Sequence, residues 1–379
     1  MIPFVDLRSQ YKDIEDNVKK RLHKVLEHGQ YILGPEVEEL ETKLAKFTGS
    51  DFCVGVSSGT DALLMALVAL DVGPGDEVIV PNFSFFATAE VVAILGAKPI
   101  FVDVNRDDFL IDWKEVVKNI SSKTKAIIAV SLYGQCPDFD QIEKAIDGKN
   151  ISIIEDGAQS FGSSYKGKKS CSISTISCTS FFPSKPLGCY GDGGACFTNN
   201  KKIATTLKEL RVHGQSKKYY HGRIGINGRL DTIQAAVLLE KLEIFDEEIK
   251  LRNNIAKKYS EELHFLVKTQ KIHEYNTTVF AQYTILIEER DKFLNFMKDQ
   301  KIPTTIHYPL PLSKQPALSK YAQNLTENSE YLTQRVISLP ISPYLKKEHQ
   351  ERVIESIKKF KKTTGKMQSC NKFFENSKL

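Results

Sequence analysis

Short aliphatic runs recur through the first half of the chain, each followed by residues at helical spacing. This alternation restricts the fold more than any other feature. Phe52–Val56, Glu77–Pro81, Pro99–Val104, Ala126–Ser131 and Ile151–Glu155 read as strands, and Gly194–Thr198 as a later one. Between the first two, Leu63, Leu64, Leu67 and Leu70 share one helix face. Strands that alternate with helices pair mostly in parallel, and helices cover both faces of the sheet. Ligands of such sheets lie beyond the carboxyl ends of strands. The residues that follow each strand are therefore where chemistry is expected.

The rest of the chain fits around that sheet. Ile14, Val18, Leu22, Val25 and Leu26 predict a helix over 13–28 that stops at Gly29, and Val37, Leu40, Leu44 and Phe47 predict a second ending at Gly49. Residues 212–229 are polar and glycine-rich without periodicity, and they read as a long loop. A helix is expected from Asp231 to Phe245. Beyond it, Tyr283, Ile285 and Ile287 alternate as in a half-buried strand. Phe293, Phe296 and Met297 mark one further helix, and Val353, Ile354, Ile357 and Phe360 another. The expected organisation is a large domain over 1–245 with N-terminal helices, a smaller α+β domain over 246–365 and a flexible tail over 366–379.

Composition removes several classes. With 379 residues, 41% hydrophobic and 26% charged, the chain reads as globular and able to bury a large core. Its net charge of +5 comes partly from Lys346–Lys347, Lys358–Lys359 and Lys361–Lys362, which read as a solvated helix face, not a nucleic-acid surface. The seven cysteines are odd in number and lack CxxC pairs, which predicts reduced, mostly buried thiols, no metal site and a cytoplasmic setting. No apolar run approaches the length of a membrane span, and no signal peptide is expected from the N-terminus.

Four strand ends carry polar groups. Ser57-Ser58-Gly59-Thr60-Asp61 joins a strand to a helix start, where backbone N–H groups and the dipole favour an anion; a plain serine cap fits the same residues. Asn82-Phe83-Ser84-Phe85-Phe86-Ala87-Thr88 offers three aromatics, either for the core or as a flat face for a ring. Tyr133-Gly134-Gln135 follows the fourth strand. Glu155-Asp156-Gly157-Ala158-Gln159 follows three buried aliphatics, and an acid there needs a partner. It reads either as a helix cap or as a carboxylate for a cationic ring nitrogen. Gln159 lies within one helical turn of Asp156 and can point at the same ligand.

One lysine completes the set. Lys185 stands in Thr179-Ser180-Phe181-Phe182-Pro183-Ser184-Lys185-Pro186-Leu187-Gly188, between a hydroxyl-rich strand end and the glycine-rich turn Gly191-Asp192-Gly193-Gly194. Pro183 and Pro186 keep it out of a helix interior. Lysines held at the mouth of a sheet form Schiff bases with aldehydes when desolvated and positioned. An exposed surface lysine is the other reading.

The order of these segments, with Ser180 five residues before Lys185, resembles the DegT/DnrJ/EryC1/StrS family of sugar-nucleotide aminotransferases. The resemblance runs from Pro3-Phe4-Val5-Asp6-Leu7 to His307-Tyr308-Pro309. Through FFPSKPLG it is nearest to members acting on UDP-linked 3-keto hexuronic acids. It implies an α/β fold of the fold-type I, aspartate-aminotransferase-like kind, with pyridoxal 5'-phosphate as cofactor. Lys185 would hold the cofactor, Asp156 would pair with its ring nitrogen, and Phe85 would stack on the ring where many relatives have tryptophan. Gly59, Thr60 and Ser180 would bind the phosphate, and Gln159 would lie near the ring hydroxyl. Asn227 would reach the phosphate across a homodimer, so the active sites would be shared. Arg229, His307 and Tyr308 would meet the sugar nucleotide. Glutamate would be the donor, leaving 2-oxoglutarate, in the building of a surface polysaccharide such as O-antigen. A 4-keto or dTDP-linked acceptor is the alternative, as is a regulatory protein that does no chemistry. Relatives that dehydrate carry histidine in place of the lysine, so Lys185 points to transamination.

Overall fold

The computed structural model describes residues 2–322 and 325–363. Seven strands form its central sheet: β1 (Phe52–Val56), β2 (Glu77–Pro81), β3 (Lys98–Val102), β4 (Thr124–Val130), β5 (Ser152–Asp156), β6 (Ile176–Ser180) and β7 (Gly194–Thr198). Their order is β1-β7-β6-β5-β4-β2-β3. Only β7 is reversed, pairing antiparallel with both β1 and β6. The other pairs are parallel. The continuous aliphatic character of the strands has a direct cause. Val78, Val80, Ile128 and Ile154 bury against one helical layer. Their neighbours Ile79, Ile127 and Ile153 bury with Ile100 and Val102 on the other face. Each such side chain contributes about 1.5–3 kcal/mol when fully buried.

The glycine stops act as expected. The first helix ends at Gly29 (φ 67°) and the second, Pro35–Thr48, at Gly49 (φ 78°), both left-handed. The first helix starts earlier than 13, at Leu7, because the Asp6 carboxylate accepts the Ser9 N–H at 3.0 Å and caps it.

The helix expected to end at Phe245 runs from Thr232 to Leu263. Its second half continues the buried face through Glu248, Arg252, Ile255, Ala256, Tyr259 and Leu263, and the two charged residues conceal that face in the sequence. Its end packs on a three-stranded antiparallel sheet of Lys268–Thr269, Tyr283–Leu286 and Val336–Leu339, together with Phe293, Met297, Val353, Ile354 and Ile357. Tyr283–Leu286 is buried at every position, not at alternate ones. Thr284 bonds the Ser338 hydroxyl at 2.9 Å, and Leu286 packs with Phe83 and Tyr133 beside the large sheet.

The loop at 212–229 contains a small hairpin, Gln215–Lys217 with Tyr220–His221, and two further bridges join Val212 to Asn227 and Val56 to Arg229. The six cysteines among the described residues are buried and free, and none of the helices described is long and apolar enough to cross a membrane. Cys370 and the expected flexible tail at 366–379 lie outside the described residues.

Candidate active site

A cavity of about 410 Å³ opens at the carboxyl ends of β1, β5 and β6. Nine of the expected site residues line it: Gly59, Thr60, Phe85, Asp156, Gln159, Ser180, Lys185, His307 and Tyr308. The sheet explains the meeting. Gly59 follows β1, Phe85 follows β2, Asp156 ends β5 and Ser180 ends β6, so distant segments converge at one edge.

The two adjacent acids separate across the sheet, since successive strand residues face opposite ways. Glu155 is fully buried and accepts from Ser131 (2.9 Å), Ser170 (2.6 Å) and the Cys171 N–H (2.8 Å). Burial raises its pKa against those donors, and its partners are structural. Asp156 faces the cavity. It accepts from Thr88 Oγ1 at 3.0 Å and from the Ala158 N–H at 3.2 Å. Burial raises its pKa, opposed by the Ala158 N–H, the charge of Lys185 and Thr88. A cation brought against Asp156 would relieve that burial penalty.

Gln159 is oriented at both ends. Its Oε1 accepts the Tyr133 N–H at 2.8 Å, and its Nε2 donates to Tyr308 Oη at 3.0 Å. Tyr133 is itself buried with a left-handed backbone, so the strand end at 133–135 positions Gln159 without meeting the cavity. Gln135 is spent on the Lys271 carbonyl and the His273 N–H. Of the three aromatics after β2, Phe83 is fully buried and Phe86 is half-buried against the core, whereas Phe85 is 51% exposed. The Phe85 ring lies 5.9 Å from that of Tyr308. His307 shares a 2.8 Å hydrogen bond between Nδ1 and Ser338 Oγ. Burial and then the charge of Lys185 lower its pKa to about 4, so it is neutral near pH 7.

The start of the helix Gly59–Ala69 is closely packed. A Cβ at Gly59 would sit 2.6 Å from Ser180 Cβ, and one at Gly194 would sit 2.5 Å from the Ser58 carbonyl. The β1–β7–β6 pairing makes these contacts and holds the helix N-terminus beside Ser180. Ser58 serves the helix: its Oγ accepts the Asp61 N–H at 3.0 Å and donates to the Asp61 carboxylate at 3.0 Å, so its proton is already taken.

Lys185 is half-buried in the turn after β6, its N–H bonded to the Phe182 carbonyl at 2.8 Å. It forms no ion pair among the described residues. Burial lowers its pKa, and the charge of Asp156 opposes the shift. A lysine so held spends more time as the neutral nucleophile than one in water.

Two expected residues are elsewhere in this chain. Asn227 is exposed and Arg229 bridges Val56; neither lines the cavity, and Arg229 Nε is buried without a hydrogen-bond partner among the described residues. Sequence reasoning missed Thr88, which stands one turn beyond Phe85, and Gln282, which enters from the smaller sheet. Only Thr88 had a signal, as a hydroxyl in the same short segment as the aromatics. No cluster of metal ligands occurs among the described residues.

The chain is similar to known proteins in sequence and fold. The UDP-2-acetamido-2-deoxy-3-oxo-D-glucuronate aminotransferase of Pseudomonas aeruginosa is 51% identical to this chain, over 91% of it and 96% of its own length. The dTDP-3-amino-3,6-dideoxy-alpha-D-galactopyranose transaminase of Aneurinibacillus thermoaerophilus is 39% identical over 95% and 99% of the two chains. The crystal structure of NtdA from Bacillus subtilis, with its bound cofactor PMP, superposes with a TM-score of 0.87 at 29% identity, over 95% of this chain and 83% of that one. Residues 12–358 match the DegT/DnrJ/EryC1/StrS aminotransferase family, and the chain belongs to it.

Proposed function

We propose that this aminotransferase moves an amino group from glutamate to a UDP-linked 3-keto hexuronic acid. The observation that carries the reading is one cavity holding a half-buried lysine, a buried carboxylate and a glycine-walled helix start, in a chain 51% identical to an enzyme named for that class of acceptor. The cofactor of the family is pyridoxal 5'-phosphate, and the cavity's residues fit it. The close approach at Gly59 and Gly194 leaves backbone N–H groups for a phosphate, with Thr60 and Ser180 beside them. Asp156 is buried, faces the cavity and lacks a cationic hydrogen-bond partner, as a ring nitrogen requires. When bound, the cofactor supplies an electron-withdrawing ring that stabilises negative charge on the carbon beside the amino nitrogen.

The chain's residues do the rest. Lys185 Nζ would hold the cofactor covalently and, once free of it, would carry the proton that transamination moves. Asp156 would keep the ring nitrogen protonated, Phe85 would cover a ring face and Gln159 would meet the ring hydroxyl. His307 and Tyr308 close the cavity from the smaller sheet and orient the sugar.

The reading includes a homodimer. Asn227 and Arg229 lie outside the cavity of their own chain; in this reading they act on the partner's. Ile224, 90% exposed, stands beside an apolar groove of Leu64, Met65, Val68 and Ile94, as a subunit contact would. The chain then divides into a large unit over 1–245 and a smaller one over 246–365, joined by the helix Thr232–Leu263. It works in the cytoplasm and supplies an amino sugar to a surface polysaccharide.

A panel of UDP- and dTDP-linked amino sugars tests the acceptor. Each is given with 2-oxoglutarate to run the reaction backwards. A UDP-linked 3-amino hexuronic acid should convert the cofactor fastest. Conversion by 4-amino or dTDP-linked sugars alone would contradict the acceptor.

A further inference from the structure

We propose that Lys241 is a positioning residue for Lys185, acting through the turn that carries it. Lys241 lies on the helix Thr232–Leu263 and is 1% exposed. Its ammonium donates to the Gly188 carbonyl and stands 5.1 Å from the centre of the Tyr190 ring. Among the described residues it forms no ion pair. Burying a lysine head group in that way costs several kcal/mol unless its contacts offset the loss of water. A methionine would fill the same space without that cost, so packing does not account for a lysine here.

The carbonyl it holds is the closing point of the Lys185 turn. Lys185 N–H bonds the Phe182 carbonyl at 2.8 Å, and Cys189 N–H bonds the Phe181 carbonyl at 2.7 Å. Gly188 is packed between them: a Cβ there would lie 2.6 Å from the carbonyl oxygens of both Phe182 and Pro183. The turn is a closed loop with Gly188 at its neck. Moving the neck moves Lys185 relative to Asp156. The same helix grips the following residues as well. Gln234 Oε1 accepts the Tyr190 N–H at 2.9 Å, and Gln234 Nε2 would lie 2.7 Å from a Cβ at Gly191. Gln234 and Lys241 are two helical turns apart on one face. That face therefore holds the segment 188–191, and the lysine holds its most critical point.

The inference rests on Lys185 holding the cofactor, as proposed above. Its test uses the full chain loaded with pyridoxal 5'-phosphate, with Lys241→Met, Lys241→Arg and wild type compared. Three readouts are taken: the melting temperature, the pH midpoint of the bound-cofactor absorbance, and the single-turnover rate with glutamate. Lys241→Met should melt within a few degrees of wild type. Its absorbance midpoint should shift, and its rate should fall about tenfold to a hundredfold, with half-saturation by glutamate changed less than about twofold. Lys241→Arg keeps a donor in almost the same volume and should recover most of the rate. A Met variant with the wild-type rate and midpoint overturns the proposal. So does a rate loss that tracks a loss of melting temperature with the midpoint unmoved. If Lys241→Met does not fold, Gln234→Leu takes its place, with the same signature expected and wild-type behaviour overturning the idea. A wild-type protein that takes up no cofactor would instead contradict the role of Lys185.

Discussion

At the scale of single residues the proposed function rests on Lys185 and Asp156, and each makes a separate prediction. Lys185→Ala should abolish turnover while circular dichroism shows the fold retained, because a half-buried turn lysine adds little packing; turnover within tenfold of wild type would contradict its role. Asp156→Asn keeps the shape but loses the charge. A charge-assisted bond of about 1.5–3 kcal/mol is then removed, so the rate should fall at least tenfold, measured by single turnover with glutamate. His307 predicts a pH effect. Its pKa in the fold is about 4, below the ordinary 6.5, so the unfolded chain binds more protons between those values. Its contribution is present above pH 6.5 and lost as pH falls to about 4, by up to about 3 kcal/mol. Asp156 and Glu155, raised by burial, act in the opposite direction, so the comparison must be made with His307→Gln. The variant's urea midpoint should fall less steeply over that range. Legibility differed sharply at this scale. Lys185, Asp156 and Gly59 stand at or within a few residues of the carboxyl ends of strands, where an α/β sheet places its ligands. Gln282 reaches the cavity only through the docking of the smaller sheet, which no local pattern encodes.

Elements decide which of these residues meet. The strands were legible because a doubly covered sheet demands unbroken aliphatic runs, and the helix stops because a left-handed residue favours glycine. The second half of Thr232–Leu263 was not, because Glu248 and Arg252 are buried charges on its inner face, and polarity alone reads as exposure. The β1–β7–β6 pairing was also invisible, since register across an antiparallel strand depends on partners far away in sequence. Yet that pairing sets the helix start at Gly59 against Ser180. Gly59→Ala should therefore weaken cofactor binding at least about tenfold, with a stability loss of roughly 1–3 kcal/mol from overpacking. Titration of the apoprotein followed by absorbance measures the first effect. Unchanged affinity would place the phosphate elsewhere.

At the scale of the whole molecule the account requires two copies. Asn227 and Arg229 are expected at the site only through family resemblance, and within one chain neither lines the cavity. Sedimentation should give twice the 42.7 kDa chain mass. Ile224→Glu, which puts a charge on a 90% exposed apolar position at the expected contact, should yield a monomer with activity reduced in step. A monomeric but fully active variant would contradict the shared site. The central claim is that the cavity performs transamination, and the most direct test is an absorbance scan of the purified protein loaded with pyridoxal 5'-phosphate. Addition of glutamate alone should bleach the band near the visible edge and release 2-oxoglutarate in one equivalent per chain. A band unchanged by glutamate and by other amino donors, in a protein that binds the cofactor, would contradict the account.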